Sequence, residues 1–531
     1  MPALGGGILR GLPQAAEGRG QRLAKTKLDK DLKRLSRMTY GTQDLGRSLV
    51  PLGIGLLFLV AVGIFAASQV GVSGSWAVAV GATVIGGYMA LNIGANDVAN
   101  NMSPAVGSRS LTIGVAILIA AVAEAAGAII AGGDVVETVS KGIIDPLRMP
   151  DREGFVITMI AALFAAALWV NLATWLNAPV STTHAVVGGV LGAGVATAGF
   201  GVANWGNVIG ILASWIISPL MGGAIAAAFL AYLKFSIYDA PDRLAAAAKR
   251  VPLLVAIMVG SFTAYLMMKG LSQIMPVSLW TALLAGLVLA IPAYFLVRPQ
   301  VQAKLAAAGT GAYSLGDLFT IPVIGGAALL SFAHGANDVA NAIGPLAAIH
   351  AALSGGVEGG EVTLPFWILL VGALGIALGL ALFGPKLIRT VGSKITKLNR
   401  VRAFCVTLSA AITVIVASAL GLPVSSTHIA IGALFGVGFL REYFANREAE
   451  PNNKGRLFRR QPPADTALLD RGAVEIEKLR AKAEKNRKRY LVRRSHVFTI
   501  VAAWVITVPS SALLAAGLAR LLTIAGLGDL L

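Results

Sequence analysis

The sequence predicts an all-α polytopic membrane protein of two inverted-topology repeats, with discontinuous helices and two re-entrant hairpins. Three observations carry that prediction. Apolar runs recur at the length of a bilayer crossing. Two polar motifs each occur twice, at nearly one spacing. Matching loops of the two halves carry opposite charge.

Hydrophobic residues make up 56% of the chain and charged residues only 13%, with a mean hydropathy of +0.75. A soluble domain carries about 25% charged residues. Leu49–Ser68, Asn207–Leu233, Gln273–Val297 and Val362–Phe383 are apolar runs that reach the ~20 residues a helix needs to cross the hydrocarbon. The single cysteine, Cys405, excludes an intrachain disulfide framework.

The net charge of +18 resides mostly in two hydrophilic segments. Residues 1–48 hold ten Lys/Arg against four acids, and residues 441–495 hold sixteen against eight. Both flank spans, so they read as positive-inside cytoplasmic segments and not as a nucleic-acid site. Residues 49–70 form an extra uncleaved span behind the first segment. Leu28, Leu32 and Leu35 at helical spacing among lysines suggest a helix resting on anionic lipid. Residues 451–470 read as a linker and Arg471–Arg494 as a charged helix.

"GANDVAN" stands at Gly94–Asn100 and again at Gly335–Asn341, and "APVSTTHAVVGGVLGAG" (Ala178–Gly194) is echoed by "LPVSSTHIAIGALFGVG" (Leu422–Gly438). The first pair is offset by 241 residues and the second by 244, which marks a duplicated unit. The expected organisation is a first repeat at 71–233, linking spans at 234–315, a second repeat at 316–440, the basic insertion at 441–495 and a final span of the second repeat at 496–531. The loop 134–154 has five acids and three basic residues, whereas its counterpart, 385–402, has six basic residues and no acid. By charge the first lies outside and the second inside, so the repeats are inverted. Inverted repeats are a transporter architecture with a site near the midplane. Both motifs look like helix interruptions, and PVSTTH and PVSSTH look like the tips of hairpins entering from opposite sides.

"GANDVANNMSPAVGSRSLT", "SFAHGANDVANAIGP", "PVSTTH" and "PVSSTH" together resemble the signature of the inorganic phosphate transporter (PiT) family. The resemblance covers most of 75–440 and the final span. It implies inorganic phosphate as substrate and H⁺ or Na⁺ as co-ion. Glu124 matches a family glutamate. Thr407 occupies the place where animal sodium-coupled members carry another, and this leaves the co-ion open.

On this reading Ser181, Thr182, Thr183, Ser425, Ser426 and Thr427, with Asn100 and Asn341, bind phosphate at two half-helix N-termini, where free N–H groups and the dipole favour an anion. Asn96, Asp97, Asn337, Asp338 and Glu124 bind the co-ion, with sodium, if it is the ion, at Asp97 and Asp338. Two buried carboxylates beside divalent phosphate repel it by about 4 kcal/mol per pair at ~4 Å and an effective dielectric near 20. The site therefore fills only when cations or protons enter with the anion. His184 and His428 read as helix-end hydrogen-bonding groups or proton relays. His334 has no counterpart (Ile93 stands there) and receives no role. Gly188, Gly189, Gly192 and Gly194 read as packing residues.

The expected protein is therefore a multi-pass symporter of the plasma (inner) membrane with a cytoplasmic N-terminus and no cofactor. Its partners are phosphate, H⁺ or Na⁺ and the bilayer, without nucleic acid, and a homo-oligomer is compatible with the sequence. Sulfate is the alternative anion. A divalent-metal carrier is disfavoured because no histidine–carboxylate cluster has ligand spacing. A hydrolase using Ser181 and His184 is disfavoured because its nucleophile set would be mirrored on the opposite side.

Overall fold

The computed structural model describes residues 49–71, 75–176, 178, 180–271, 274–308, 315–354, 364–394, 398–449 and 494–530. The chain divides into two compact units, Met1–Ile54 and Gly55–Leu531. The described residues of the first are helical, and the candidate site residues lie in the second. The basic N-terminal segment with its Leu28–Leu35 pattern, the linker at 451–470 and the charged helix expected up to residue 493 fall outside the described residues.

Backbone polar groups in hydrocarbon must be satisfied within their own segment, so apolar runs become helices. The described helices are α1 (Leu49–Gln69), α2 (Trp76–Gly107), α3 (Ile113–Ala131), α4 (Gly133–Glu137), α5 (Arg152–Trp175), α6 (Thr182–Ala198) and α7 (Trp205–Leu233). They continue as α8 (Arg243–Lys269), α9 (Leu279–Ala308), α10 (Thr320–Leu353), α11 (Phe366–Lys394), α12 (Arg400–Ala419), α13 (Ser426–Ala449) and α14 (Arg494–Ile524). Eleven described helices are long and apolar enough to span a membrane. The 17-residue α6 is too short to be counted among them, and α13 is also absent from that set. Among the described residues the only β pairing is one isolated bridge, Ile144 to Ala203.

Two expectations change. GANDVAN does not interrupt its helix: α2 and α10 run unbroken through both copies. The asparagine and aspartate side chains find partners on other helices, so the backbone has no need to unwind. What marks the site is a proline inside each helix, Pro104 and Pro345. A helical proline removes the N–H that would bond the carbonyl four residues earlier, here that of Asn100 and Asn341. The segment 385–402, expected as a loop, is helical as far as Lys394. Pro385 and Gly392 both lie inside α11 without ending it. The break expected at each PVS(S/T)TH is present, between α5 and α6 and between α12 and α13.

The halves exchange contacts. Helix α3 of the first half packs on α10 of the second, while α11 of the second packs on α2 of the first. Likewise α6 packs on α14 and α13 on α7. Each half thus supplies helices to the packing of the other. Glycine enforces it at the site. A Cβ on Gly335 would stand 2.0 Å from the carbonyl oxygen of Glu124, and one on Gly94 would stand 2.0 Å from that of Ile376. Only hydrogen fits there, so the backbones of α3 and α10, and of α11 and α2, touch three residues before each aspartate. Gly188 and Gly192 meet the backbone of α14 in the same way, as their reading for packing requires.

Candidate functional site

The aspartates sit at facing points of α2 and α10, and the N-termini of α6 and α13 are aimed at them. Ser181 and Ser425 are the caps of those two helices. Ser181 Oγ accepts from the His184 N–H at 3.1 Å, and Ser425 Oγ from that of His428 at 3.3 Å. A serine cap satisfies one of the four unpaired N–H groups at a helix start. The caps leave the next residues free to reach across. Thr182 donates to Asp97 Oδ2 at 3.1 Å, and Ser426 donates to Asp338 Oδ2 at 2.9 Å. These contacts are copies of each other under the duplication.

A second pair crosses between halves. Asn100 Nδ2 donates to Thr427 Oγ1 at 2.7 Å, and Thr427 donates to Asp97 Oδ1 at 3.1 Å. Asn341 Nδ2 donates to Thr183 Oγ1 at 3.1 Å, and Thr183 donates to the Val424 carbonyl at 2.9 Å. A third pair fixes each long helix to the arm of its hairpin: Asn96 Nδ2 to Thr174 Oγ1 at 2.8 Å, and Asn337 Nδ2 to Ser418 Oγ at 3.0 Å. Asn337 Oδ1 also accepts from Val424 N at 3.2 Å. The second tip is held further by Thr138, which donates to the Gly421 carbonyl at 2.7 Å, and by Trp215, which donates to that of Pro423 at 3.0 Å. His184 and His428 meet ring to ring at 4.5 Å, and His184 stacks on Trp215 at 3.6 Å.

Thr182, Thr427 and Asn100 thus gather at Asp97, Ser426 meets Asp338 and Asn341 meets Thr183. Ser181 and Ser425 cap the helices, Asn96 and Asn337 turn to the hairpin arms, and Glu124 joins through a residue that was not expected. His334 lies at the centre and is fully buried. Its Nε2 is 2.8 Å from Asp338 Oδ2 and 3.8 Å from Asp97 Oδ2, and its Nδ1 is 3.2 Å from Glu124 Oε2. Glu124 also accepts from Asn101 Nδ2 at 2.9 Å. Pairing motifs between the halves hid His334, because its counterpart is Ile93. Its spacing offered another signal: His334 and Asp338 are one helical turn apart and share a face, inside an apolar helix where ionisable groups are expensive. The expectation that no histidine–carboxylate cluster forms is also corrected. Asp97, His334 and Asp338 offer ligand atoms all within 4.8 Å of one another. They come from two helices far apart in sequence, so spacing along the chain did not reveal them.

Three carboxylates surround one imidazole in a site closed to water. Ionised carboxylates this deeply buried are expensive unless a cation or proton joins them. Asn96 Oδ1, Asn341 Oδ1 and Asp338 Oδ1 are buried acceptors with no hydrogen-bond donor, each costing about 1–3 kcal/mol if left so. Oxygen acceptors beside carboxylates suit a hard cation. The helix N-termini with their hydroxyls and amides suit an oxyanion. Both sets share Asp97 and Asp338.

A model of the phosphate transporter family matches residues 93–515. A Helicobacter pylori (strain J99) protein provisionally named a phosphate permease is 44% identical over 519 residues, covering 92% of this chain and 97% of that one. The chloroplastic inorganic phosphate transporter 2-1 of Arabidopsis thaliana is 37% identical over 386 residues, covering 67% of this chain and 65% of that one. A solved structure described as the sodium-dependent phosphate transporter aligns with a TM-score of 0.69 at 32% identity, covering 83% of this chain and 98% of that one.

Proposed function

Because the chain belongs to the phosphate transporter family, we propose that it takes up inorganic phosphate across the inner membrane by symport with a cation, at the paired centre around Asp97 and Asp338. One observation carries the mechanism: the hydroxyls at the two anion-favouring helix N-termini donate directly to the two aspartates. Anion and cation sites therefore share atoms. Without a cation, Asp97 and Asp338 hold the Thr182, Ser426 and Thr427 hydroxyls and repel phosphate. A cation bound to the carboxylates neutralises them and releases those hydroxyls, which then turn to the phosphate oxygens together with the Asn100 and Asn341 amides. Coupling follows from this exchange of partners. No lysine or arginine is needed, and neutral donors let the anion leave again.

Sodium is the favoured co-ion. The solved relative is named as sodium-dependent, and unpaired amide and carboxylate oxygens are hard-cation ligands. The buried His334–Glu124–Asp338 cluster supports protons as the second reading. Inverted repeats with hairpin tips reached from each side in turn are part of the same proposal, supported by the opposite loop charges and the exchanged helix contacts. The chain is a carrier and not an enzyme. Ser181 and His184 touch at 2.6 Å within one helical turn as cap partners, and His184 stacks on Trp215.

Uptake of labelled phosphate into proteoliposomes, with sodium and pH gradients imposed separately, tests the proposal. Accumulation driven by the sodium gradient alone is expected. Accumulation driven only by the pH gradient would transfer the coupling to the histidine cluster. Accumulation under neither gradient would defeat symport.

A further inference from the structure

A second cavity, of about 330 Å³, lies at the other end of the second hairpin. Its lining comes from three segments. Lys234 and Tyr238 belong to the π-helical turn that follows α7, Asn399 and Arg402 to the start of α12, and Arg441 and Phe444 to the last turns of α13. Among the described residues, three cations line it and no acidic side chain does. Lys234 has a carboxylate, Asp239, at 3.8 Å, and its ammonium also sits over the Phe444 ring, 5.1 Å from the centroid. Asn399 caps α12 by accepting from Arg402 N at 3.0 Å, so the positive end of that helix opens into the same space. The 18 or so residues of α12 between Arg402 and Ala419 place this cavity roughly 25 Å from the aspartate centre, and the two share no residue.

Basic side chains from three segments converge on one cavity, and an anion entering it relieves their mutual repulsion. The volume is that of a small-molecule site, at the low end of the usual ~300–1,000 Å³. Exposed aromatic side chains occur on the same segments, Tyr232, Phe235 and Tyr443, with Phe235 edge-on to the lining residue Phe444 at 6.0 Å. Aromatic rings beside basic residues mark the level of lipid headgroups, and basic pockets between spanning helices on the cytoplasmic side take anionic headgroups.

We infer that Lys234, Arg402 and Arg441 form a binding site for a phosphate group, carried by an anionic lipid headgroup or by free inorganic phosphate, that clamps the base of the second hairpin to α7. Arginine suits the task because its planar fork meets two phosphate oxygens at once. The ligand ties α7, from the first half, to both arms of the hairpin whose tip carries Ser426 and Thr427. Filling the cavity therefore stiffens the base on which that tip moves.

The test compares wild type with the Arg402→Gln/Arg441→Gln double variant in nanodiscs, with unfolding temperature as readout. In the first arm phosphatidylcholine discs are compared with discs that also contain phosphatidylglycerol. In the second, inorganic phosphate is titrated into phosphatidylcholine discs. Phosphate at the transport centre shifts both proteins equally, so only the difference between them counts. A lipid occupant predicts that phosphatidylglycerol stabilises wild type and that the variant loses most of that shift, with equal phosphate shifts. A free-phosphate occupant predicts the loss in the second arm instead. Arg402→Lys/Arg441→Lys should keep most of either response. If the glutamine pair does not fold, Lys234→Gln, at the cavity's mouth, is read in the same two arms. Equal shifts for wild type and variant in both arms overturn the proposal.

Discussion

The Asp97 half of the centre and the Asp338 half are built from the same parts, yet only one of the two long helices carries an imidazole beside its aspartate. Each aspartate takes a hydroxyl from the hairpin of its own half, Thr182 for Asp97 and Ser426 for Asp338. Each GANDVAN sends an asparagine to the opposite hairpin, Asn100 to Thr427 and Asn341 to Thr183. The match ends at Glu124 and His334. Where Glu124 presses its backbone on Gly335, Ile376 presses on Gly94, and where His334 precedes one motif, Ile93 precedes the other. On the proposed mechanism the duplicated frame would serve the anion, and the unpaired Glu124–His334 couple would serve the co-ion.

The comparison breaks first if the halves do not face opposite ways. With Cys405 replaced by serine, Leu147→Cys is expected to react fully with an impermeant thiol reagent added outside intact cells. Lys386→Cys is expected to react only after permeabilisation. Labelling of both from one face would remove the inverted relation and the shared midplane site with it.

Next in size are the aspartates. Asp97→Asn and Asp338→Asn keep the hydrogen-bond acceptor for Thr182 or Ser426 but remove the charge that attracts the cation. Concentrative phosphate uptake is expected to vanish in each, with the folded protein still recovered in detergent. Asp338→Asn should be the more damaging to stability, since it leaves His334 facing an amide at hydrogen-bond distance. Undiminished gradient-driven uptake in either variant would disprove the shared-atom mechanism.

The unpaired couple gives the sharpest contrast between halves. Glu124→Gln retains an oxygen for Asn101 yet removes the charge 3.2 Å from His334 Nδ1. Replacing one member of a buried polar pair leaves the other without its partner, at a cost of about 1–3 kcal/mol. Gradient-driven uptake should fall by at least about tenfold, equivalent to ~1.4 kcal/mol. Ile376→Val, at the matching place, should leave uptake within about twofold, as for a small apolar trimming. Similar losses in the two variants would mean that the site has no special side.

How much of this was legible in the sequence follows the same division. Whatever was duplicated could be read: the matched offsets identified Asn96, Asp97, Asn100 and their partners before any geometry was known, and the serine–threonine triplets announced helix starts. What occurred once was hidden. His334 was passed over because Ile93 stands at its counterpart. The continuity of α2 and α10 was also missed, because polar residues in an apolar run look like a break until the cross-helix hydroxyls that satisfy them are known. Proline at 104 and 345 belongs to both categories. It was visible in the sequence, but its effect is to free one carbonyl and not to end the helix.

The smallest expected effect tests the duplicated frame itself. Thr182→Ala and Ser426→Ala each remove one neutral donor, worth on the order of 1 kcal/mol, from a phosphate site with several. If the halves are equivalent toward the anion, each variant raises the phosphate KM about fivefold, the factor that corresponds to such a loss, and the double variant multiplies the two. Co-ion dependence should hardly move, because both aspartates keep their charge. The geometry makes one further distinction. Asp97 retains a second hydroxyl, from Thr427, when Thr182 is truncated, whereas Asp338 keeps His334 when Ser426 is truncated. A residual change in co-ion affinity should therefore appear only in Ser426→Ala, where the imidazole becomes the sole partner of Oδ2. Equal phosphate KM values for wild type and both variants would move the anion away from these helix ends, and a co-ion shift confined to Thr182→Ala would reverse the assignment of the two halves.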